Sequence, residues 1–379
     1  MKILIFTETY LPTINGVVNS IESFRKELVK RGHKVYIIAP HSKTESFKER
    51  DYVFRLLSLP FLGQPSHPVA WPYAHQVKAI VDEIKPDIIH VQGVGVCGWL
   101  GLKIAHKEKI PCMFTYHTLL EGYAHYAGLF SFIIKPLMRW WSKYLSNKYD
   151  LVITPSPNIA RVLKKYGVKS DIVALPTGVE ISSFRPQQKT EYRKNLEFDP
   201  DKLYLLSVGR LAREKNIQQL LTDFGRLHTR SENAHLIIAG DGPDRMAYEG
   251  IVESHGLSRA VTFLGSVEHK DLIPYFVASD IFCFPSLTDT QGIVLVEAMA
   301  SGIPSVVYDT LGPGDLIKNS ENGLKAKVGT DQFFTFLSEL VQNNELREKL
   351  GVGALREARK YTIEKTTDQL EQIYQVLTK

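Results

Sequence analysis

The feature that most limits how this chain can fold is an alternation. Short apolar runs, each too brief for a helix, are separated by longer stretches with helical spacing. Lys2–Phe6 is the first run; residues 17–31 follow with helical periodicity closed by Gly32, and 34–39 is the next run. Further strands are expected at 87–91, 112–116, 151–154 and 172–175. Strand, helix and strand in series call for parallel strands covered by their connecting helices. The pattern restarts after a polar, proline-bearing stretch at 176–200, with strands expected at 203–208, 235–239, 261–264, 280–284 and 305–308 and a last helix over 363–377. The 379 residues thus divide into two α/β halves of roughly 180 residues, an ordinary domain size, facing each other across a cleft. Open parallel sheets bind ligands beyond the carboxyl ends of their strands, so chemistry is sought in those loops.

Several classes are excluded early. Cys97, Cys112 and Cys283 are odd in number and form no Cys-x-x-Cys pair, so neither a disulfide framework nor a zinc site is expected, and they read as core thiols in a reducing compartment. The net charge of +5 is too small to imply nucleic acid, though it suits an acidic surface. The first apolar run ends at Glu8, too soon for a signal peptide, and Lys135 interrupts the apolar stretch 128–134, so no membrane span is expected. A cytoplasmic protein follows from this reading, with peripheral attachment to the inner membrane face left open.

Candidate residues cluster after strands. Gly16 opens the first helix where backbone amides point outward, a place for a phosphate or simply a tight turn. The first loop lacks Gly-x-Gly-x-x-Gly, which argues against a dinucleotide oxidoreductase. After 203–208 come Gly209-Arg210-Leu211-Ala212-Arg213-Glu214-Lys215-Asn216, where Arg210 and Lys215 are able to reach one pyrophosphate; a solvated basic loop is the alternative. Gly240-Asp241-Gly242-Pro243 follows the next strand as a turn that allows close backbone approach. Asp289 and Glu297 flank a loop entering an apolar helix. Asp289 is either a helix cap or a ligand contact, whereas Glu297 sits inside the helix and needs hydrogen-bond donors, which a ribose diol supplies. The amides of Gln291, Gly292 and Ile293 would face whatever binds there.

These motifs together resemble retaining glycosyltransferase family 4, whose architecture, GT-B, pairs two Rossmann-like domains. The resemblance spans the chain and rests on Asn15-Gly16, Thr115-Tyr116-His117-Thr118, Gly209-Arg210 with Glu214-Lys215-Asn216, Gly240-Asp241-Gly242-Pro243, and the acid pair with seven residues between. It implies that residues 1–190 form an acceptor-binding domain, that 191–360 bind a nucleotide sugar, and that 361–379 form a helix packing back on the first domain. It further implies that Arg210 and Lys215 hold the donor diphosphate, Glu297 the ribose, and Asp289, Thr290 and the following amides the sugar. Gly16 would approach the phosphate, Gly240 would line the donor site, and His117 would lie near the reacting carbon, a satisfied core histidine being the other reading. Asp289 stands where the family usually has Glu, shorter by one bond of about 1.5 Å. No metal or other cofactor is implied; the expected donor is a UDP-sugar rather than a GDP-sugar.

Within the family the chain looks most like bacterial diacylglycerol glucosyltransferases, through Tyr116-His117-Thr118, Glu121, Tyr123, His125, Tyr126 and Thr288-Asp289-Thr290-Gln291-Gly292. Glucose transfer to a lipid acceptor is the implied activity; a glycolipid, polysaccharide or small-molecule acceptor, or a non-catalytic nucleotide-binding module, is the alternative. At 130–149, Lys135, Arg139 and Lys143 recur every four residues beside Phe132, Ile133, Ile134, Leu137, Trp140 and Trp141. Such a helix either lies in an anionic membrane surface, each cation adding about 1 kcal/mol, or buries its apolar face in the core; periodicity does not say which way a face points.

Overall fold

The computed structural model describes residues 1–13, 15–41, 51–61, 64–122, 128 and 130–379. The chain forms two compact units, Met1–Gly178 with Ile363–Lys379, and Val179–Thr362.

In the first unit, β1 (Lys2–Phe6), α1 (Gly16–Lys30), β2 (Lys34–Pro40) and β3 (Val53–Leu56) are followed by a hairpin of β4 (Ser58–Phe61) and β5 (Gln64–Ala70). Then come α2 (Ala74–Ile84), β6 (Ile88–Val91), α3 (Val96–Glu108), β7 (Cys112–Thr115), α4 (Ser131–Ser146), β8 (Leu151–Thr154), α5 (Pro157–Tyr166) and β9 (Asp171–Ala174). Seven strands form one sheet in the order β3-β2-β1-β6-β7-β8-β9. Its strand pairs are parallel, Ile3 facing Val35 on one side and Ile88 on the other. The order reverses between β1 and β6, which opens a crevice at their carboxyl ends. Asn15 starts α1 by accepting from the Val18 amide at 3.0 Å, which satisfies one of the four amides a helix start leaves unpaired.

The second unit runs α6 (Lys189–Asn195), β10 (Leu203–Val208), α7 (Ile217–His228), β11 (Ala234–Ala239), α8 (Arg245–Ser254), β12 (Val261–Gly265), α9 (His269–Ala278), β13 (Ile281–Phe284), α10 (Ile293–Ala300), β14 (Ser305–Tyr308), α11 (Pro313–Leu316), β15 (Gly323–Ala326), α12 (Gln332–Gln342) and α13 (Asn344–Ala358). Its six strands order as β12-β11-β10-β13-β14-β15, with the reversal between β10 and β13. Both sheet faces are covered. Phe224, Leu220, Phe333 and Leu337 pack on one; Phe276, Val296, Met299 and Ala354 pack on the other. Fully burying side chains of this size stabilises by about 1.5–3 kcal/mol each, which is why the strands read as unbroken apolar runs.

The boundaries differ from the expected 190 and 360. Residues 179–190 go with the second unit, because the Val179 amide donates to Tyr361 at 2.9 Å and Phe184 is buried against Phe276. The last helix, α14 (Ile363–Leu377), returns to the first unit, where Leu370 and Tyr374 join the core with Ile21 and Leu28 of α1. Arg31 ties the two helices through Asp368 and Glu371 at 2.6 and 2.8 Å. All three cysteines are buried and free. No helix among the described residues is long and apolar enough to cross a membrane.

Candidate active site

In the second unit the loops that follow β10, β11, β13 and β14 leave the same edge of the sheet. Lys215, at the end of the loop after β10, points its Nζ between both carboxylate oxygens of Asp289, at 2.7 and 2.8 Å. Asp289 lies in the loop after β13, so this ion pair spans the point where strand order reverses. Both side chains are about four-fifths buried, at 22% and 20% exposure. Asp289 is therefore not the cap of α10. That position belongs to Gly292, in the left-handed region at φ 79°, with no side-chain cap bond. An uncapped helix start leaves the first amides without intrahelical acceptors.

Glu297 sits one turn into α10 and is 4% exposed. The donor it needs comes from His269 at the start of α9, whose Nε2 lies 2.6 Å from Glu297 Oε1. This partner was not among the sequence candidates. Arg210 is exposed at the end of β10, while Glu214 in the same loop is buried. The loop is fixed by its neighbours: the Leu287 amide donates to the Glu214 backbone carbonyl at 3.3 Å and the Gly312 amide to the Asp289 backbone carbonyl at 3.1 Å. Gly240, at φ 140°, admits the chain's own backbone, since a Cβ there would come within 1.9 Å of the Gly209 carbonyl oxygen. A Cβ on Gly312 would meet the Thr290 and Gln291 backbone at 2.4 and 2.5 Å.

In the first unit, Gly16 has no local packing reason to be glycine. A Cβ there would find no atom within 4 Å, and its φ is outside the left-handed region. His117 follows β7 and Gln92 follows β6, adjacent strands, and their side chains meet at 2.5 Å between Nε2 and Oε1. Gln92 Nε2 reaches His90 Nε2 at 3.1 Å, and His90 Nδ1 reaches the Tyr374 hydroxyl at 2.7 Å. These groups border a small cavity with Ser20, Thr115 and Thr177, walled elsewhere by Phe24, Ile153, Leu175 and Leu370. Burial pushes the His117 pKa down to about 4. Burial, then the neighbouring His117, pushes His90 down to about 3. Both rings are neutral near pH 7. Glu8, after β1, accepts from the Gly98 amide at 2.9 Å, and burial raises its pKa.

The apolar face of α4 is not in the core. Phe132, Ile133, Leu137, Trp140 and Trp141 are exposed, Phe132 at 72%, and the buried residues of the helix are Ser142, Leu145 and Ser146. Trp140 and Trp141 stack on Tyr144 at 5.4 and 5.8 Å, and Lys148 lies 5.1 Å over the same ring. Lys135 and Lys143 are exposed on this helix. Arg139 instead pairs with Glu121. Tyr123, His125 and Tyr126 lie outside the described residues. Among the described residues no group of three or more His, Cys, Asp or Glu is gathered to hold a metal.

Two doubly wound parallel sheets, each with one reversal of strand order, define a pair of Rossmann-like α/β domains of the GT-B type. Residues 14–183 match the Glycosyltransferase Family 4 model and residues 188–356 the model of Glycosyl transferases group 1. An alpha-monoglucosyldiacylglycerol synthase of Streptococcus pneumoniae is 31% identical over 353 residues, covering 92% of this chain and 80% of that protein. One from Acholeplasma laidlawii is 27% identical over 99% of this chain and 96% of its own. In structure, the sucrose-phosphate synthase of Thermosynechococcus elongatus superposes with a TM-score of 0.83 at 20% identity, covering 99% of this chain and 98% of that one. The chain belongs to glycosyltransferase family 4 and is a glycosyltransferase.

Proposed function

We propose that the enzyme transfers glucose from UDP-glucose to diacylglycerol at an anionic membrane surface, with retention at the anomeric carbon. The carrying observation is the Lys215–Asp289 pair at the β10/β13 reversal, with the embedded carboxylate of Glu297 on the next helix. Lys215 has three N–H donors; two are directed at Asp289, and the third serves a phosphate oxygen. Arg210, exposed in the same loop, adds a planar fork to the same diphosphate. Glu297 takes the ribose diol, with His269 holding its other side. Asp289, Thr290 and the amides of Gln291, Gly292 and Ile293 take the sugar. Asp289, shorter than the usual Glu, is held by Lys215, so its contact with the sugar depends on that cation.

In the reaction the bond from the anomeric carbon to the diphosphate oxygen breaks while the acceptor oxygen attacks the same face. The acceptor proton passes to the departing phosphate. Negative charge grows on the leaving group, where Arg210, Lys215 and the helix amides are fixed in advance. The family resemblance assigns Gly16, a helix start with no side chain and open space around it, to phosphate and His117 to the sugar. The exposed aromatic face of α4, with Lys135, Lys143 and Lys148, supports the lipid acceptor, and Glu121, Arg139, Trp140, Trp141 and Tyr126 complete that proposed acceptor and membrane side.

The test is a donor and acceptor panel read by product mass, with melting temperatures measured beside it. UDP at 100 times its Kd should stabilise by about 2.7 kcal/mol, and NAD by nothing. Stabilisation by GDP but not UDP would sink the donor assignment. Product on soluble sugars with none on diacylglycerol would sink the acceptor.

A further inference from the structure

We infer that the groove between α2 and α3 is a binding site for a single alkyl chain ending in an anion, the chemistry of a dissolved fatty acid. The two helices pack side by side in the first unit and leave between them a groove of about 200 Å³. The buried side chains of Val77, Leu100 and Ile104 make its floor, and Lys78, Lys103 and Lys107 stand on its rim. None of these residues has a part in the proposed donor and acceptor sites, so the inference stands apart from that reading.

The charges do not balance within the groove. Lys78 is paired, with Asp82 at 2.7 Å and Glu108 at 3.4 Å. Lys103 and Lys107, four positions apart and so on one face of α3, have no ion-pair partner among the described residues. Lys103 Nζ lies instead 4.8 Å over the Trp99 ring, which holds the ammonium at the rim. α2 begins at Ala74 in the same groove and no side chain caps it, so the positive end of its dipole adds to the two lysines. A small anion would leave the apolar floor in contact with water, and an uncharged chain would leave both ammoniums unmatched. An alkyl chain with an anion at one end answers both. On the scale of a cavity of about 150 Å³ that takes benzene, the volume accepts roughly eight carbons, which is part of one chain and not two.

The experiment is calorimetric titration of the whole chain with butanoate, octanoate, octyl phosphate and octanol, each below its micelle concentration. A fully buried methylene tightens binding about fourfold and a half-buried one about twofold. Octanoate should therefore bind roughly 15- to 250-fold more tightly than butanoate, and several-fold more tightly than octanol. Replacing Lys103 and Lys107 together by Gln should weaken octanoate about 3- to 30-fold and leave octanol unchanged. Ala74→Trp, which fills the groove from its rim, should remove both. Equal binding of butanoate and octanoate by the parent protein would overturn the inference whatever the variants do, as would octanol binding as tightly as octanoate. Octyl phosphate binding where octanoate does not would overturn the fatty-acid class. On vesicles of phosphatidylglycerol and phosphatidylcholine the Lys103 and Lys107 double variant should sediment like the parent. A loss there as large as that from replacing Lys135, Lys143 and Lys148 would make the groove part of a membrane face and overturn the dissolved ligand.

Discussion

Replacing Lys135, Lys143 and Lys148 together by Gln tests whether α4 meets a membrane. These three cations are exposed and make no ion pair among the described residues, whereas Arg139 is neutralised by Glu121. Each cation near an anionic surface contributes about 1 kcal/mol, so the triple change should cost about 3 kcal/mol, a fall in vesicle affinity of roughly 100- to 200-fold. Arg139→Gln should cost less than any one of the lysines. The loss should shrink as salt rises, since screening at 0.1 M already acts over about 10 Å. Removing Phe132 and Trp140 instead should weaken binding in a way that salt does not alter, because their contribution is apolar area. Sedimentation with vesicles of phosphatidylglycerol and phosphatidylcholine measures both. Equal binding by the parent and the triple variant on the acidic vesicles would refute the reasoning, as would an Arg139 effect larger than that of Lys143.

Two other perturbations address the site itself. Lys215→Ala should reduce turnover by about 100-fold or more and, by leaving the mostly buried Asp289 carboxylate alone, should destabilise by about 1–2 kcal/mol. Adding Asp289→Asn should restore stability but not turnover; near-parental turnover in Lys215→Ala would remove the leaving-group role. The histidines predict a pH dependence. His117 and His90 titrate near 4 and 3 when folded but near 6.5 when unfolded. The unfolded chain thus binds protons that the folded one refuses. Stability falls as pH drops from about 6.5 toward 4, at roughly 1.4 kcal/mol per pH unit for each ring. Glu8, with its pKa raised by burial, acts in the opposite sense above its ordinary value in parent and variant alike. His117→Asn should flatten the slope by one ring's share in denaturant titrations between pH 6 and 5. Identical slopes would show that the ring is charged when folded.

Much of the sheet scaffold was legible because its strands are buried on both faces and read as apolar runs. Lys2–Phe6, Leu151–Thr154, Leu203–Val208 and Ser305–Tyr308 begin and end where the sequence pattern places them. The hairpin Ser58–Phe61 with Gln64–Ala70 was missed, since prolines at 60, 65 and 68 argue against strand, and Gly323–Ala326 was missed because it is short and holds a lysine. The candidate residues after β10 and β13 were visible as charges out of place. Their partners were not: Lys215 and Asp289 are 74 positions apart, His269 and Glu297 are 28 apart, and only the fold joins them. Nor does spacing say which way a helix face points. α4 has the periodicity of a core helix, yet it exposes its tryptophans.

The return of α14 to the first unit has a consequence for how the chain is made. The strands of that unit emerge from the ribosome long before the helix that finishes its core, with the whole second unit, Val179–Thr362, synthesised in between. Until Tyr374 arrives, His90 lacks its hydroxyl partner and Leu370 its place beside α1. The nascent first unit is therefore incompletely closed until α14 is made, and damage to α14 would be registered among strands synthesised far earlier.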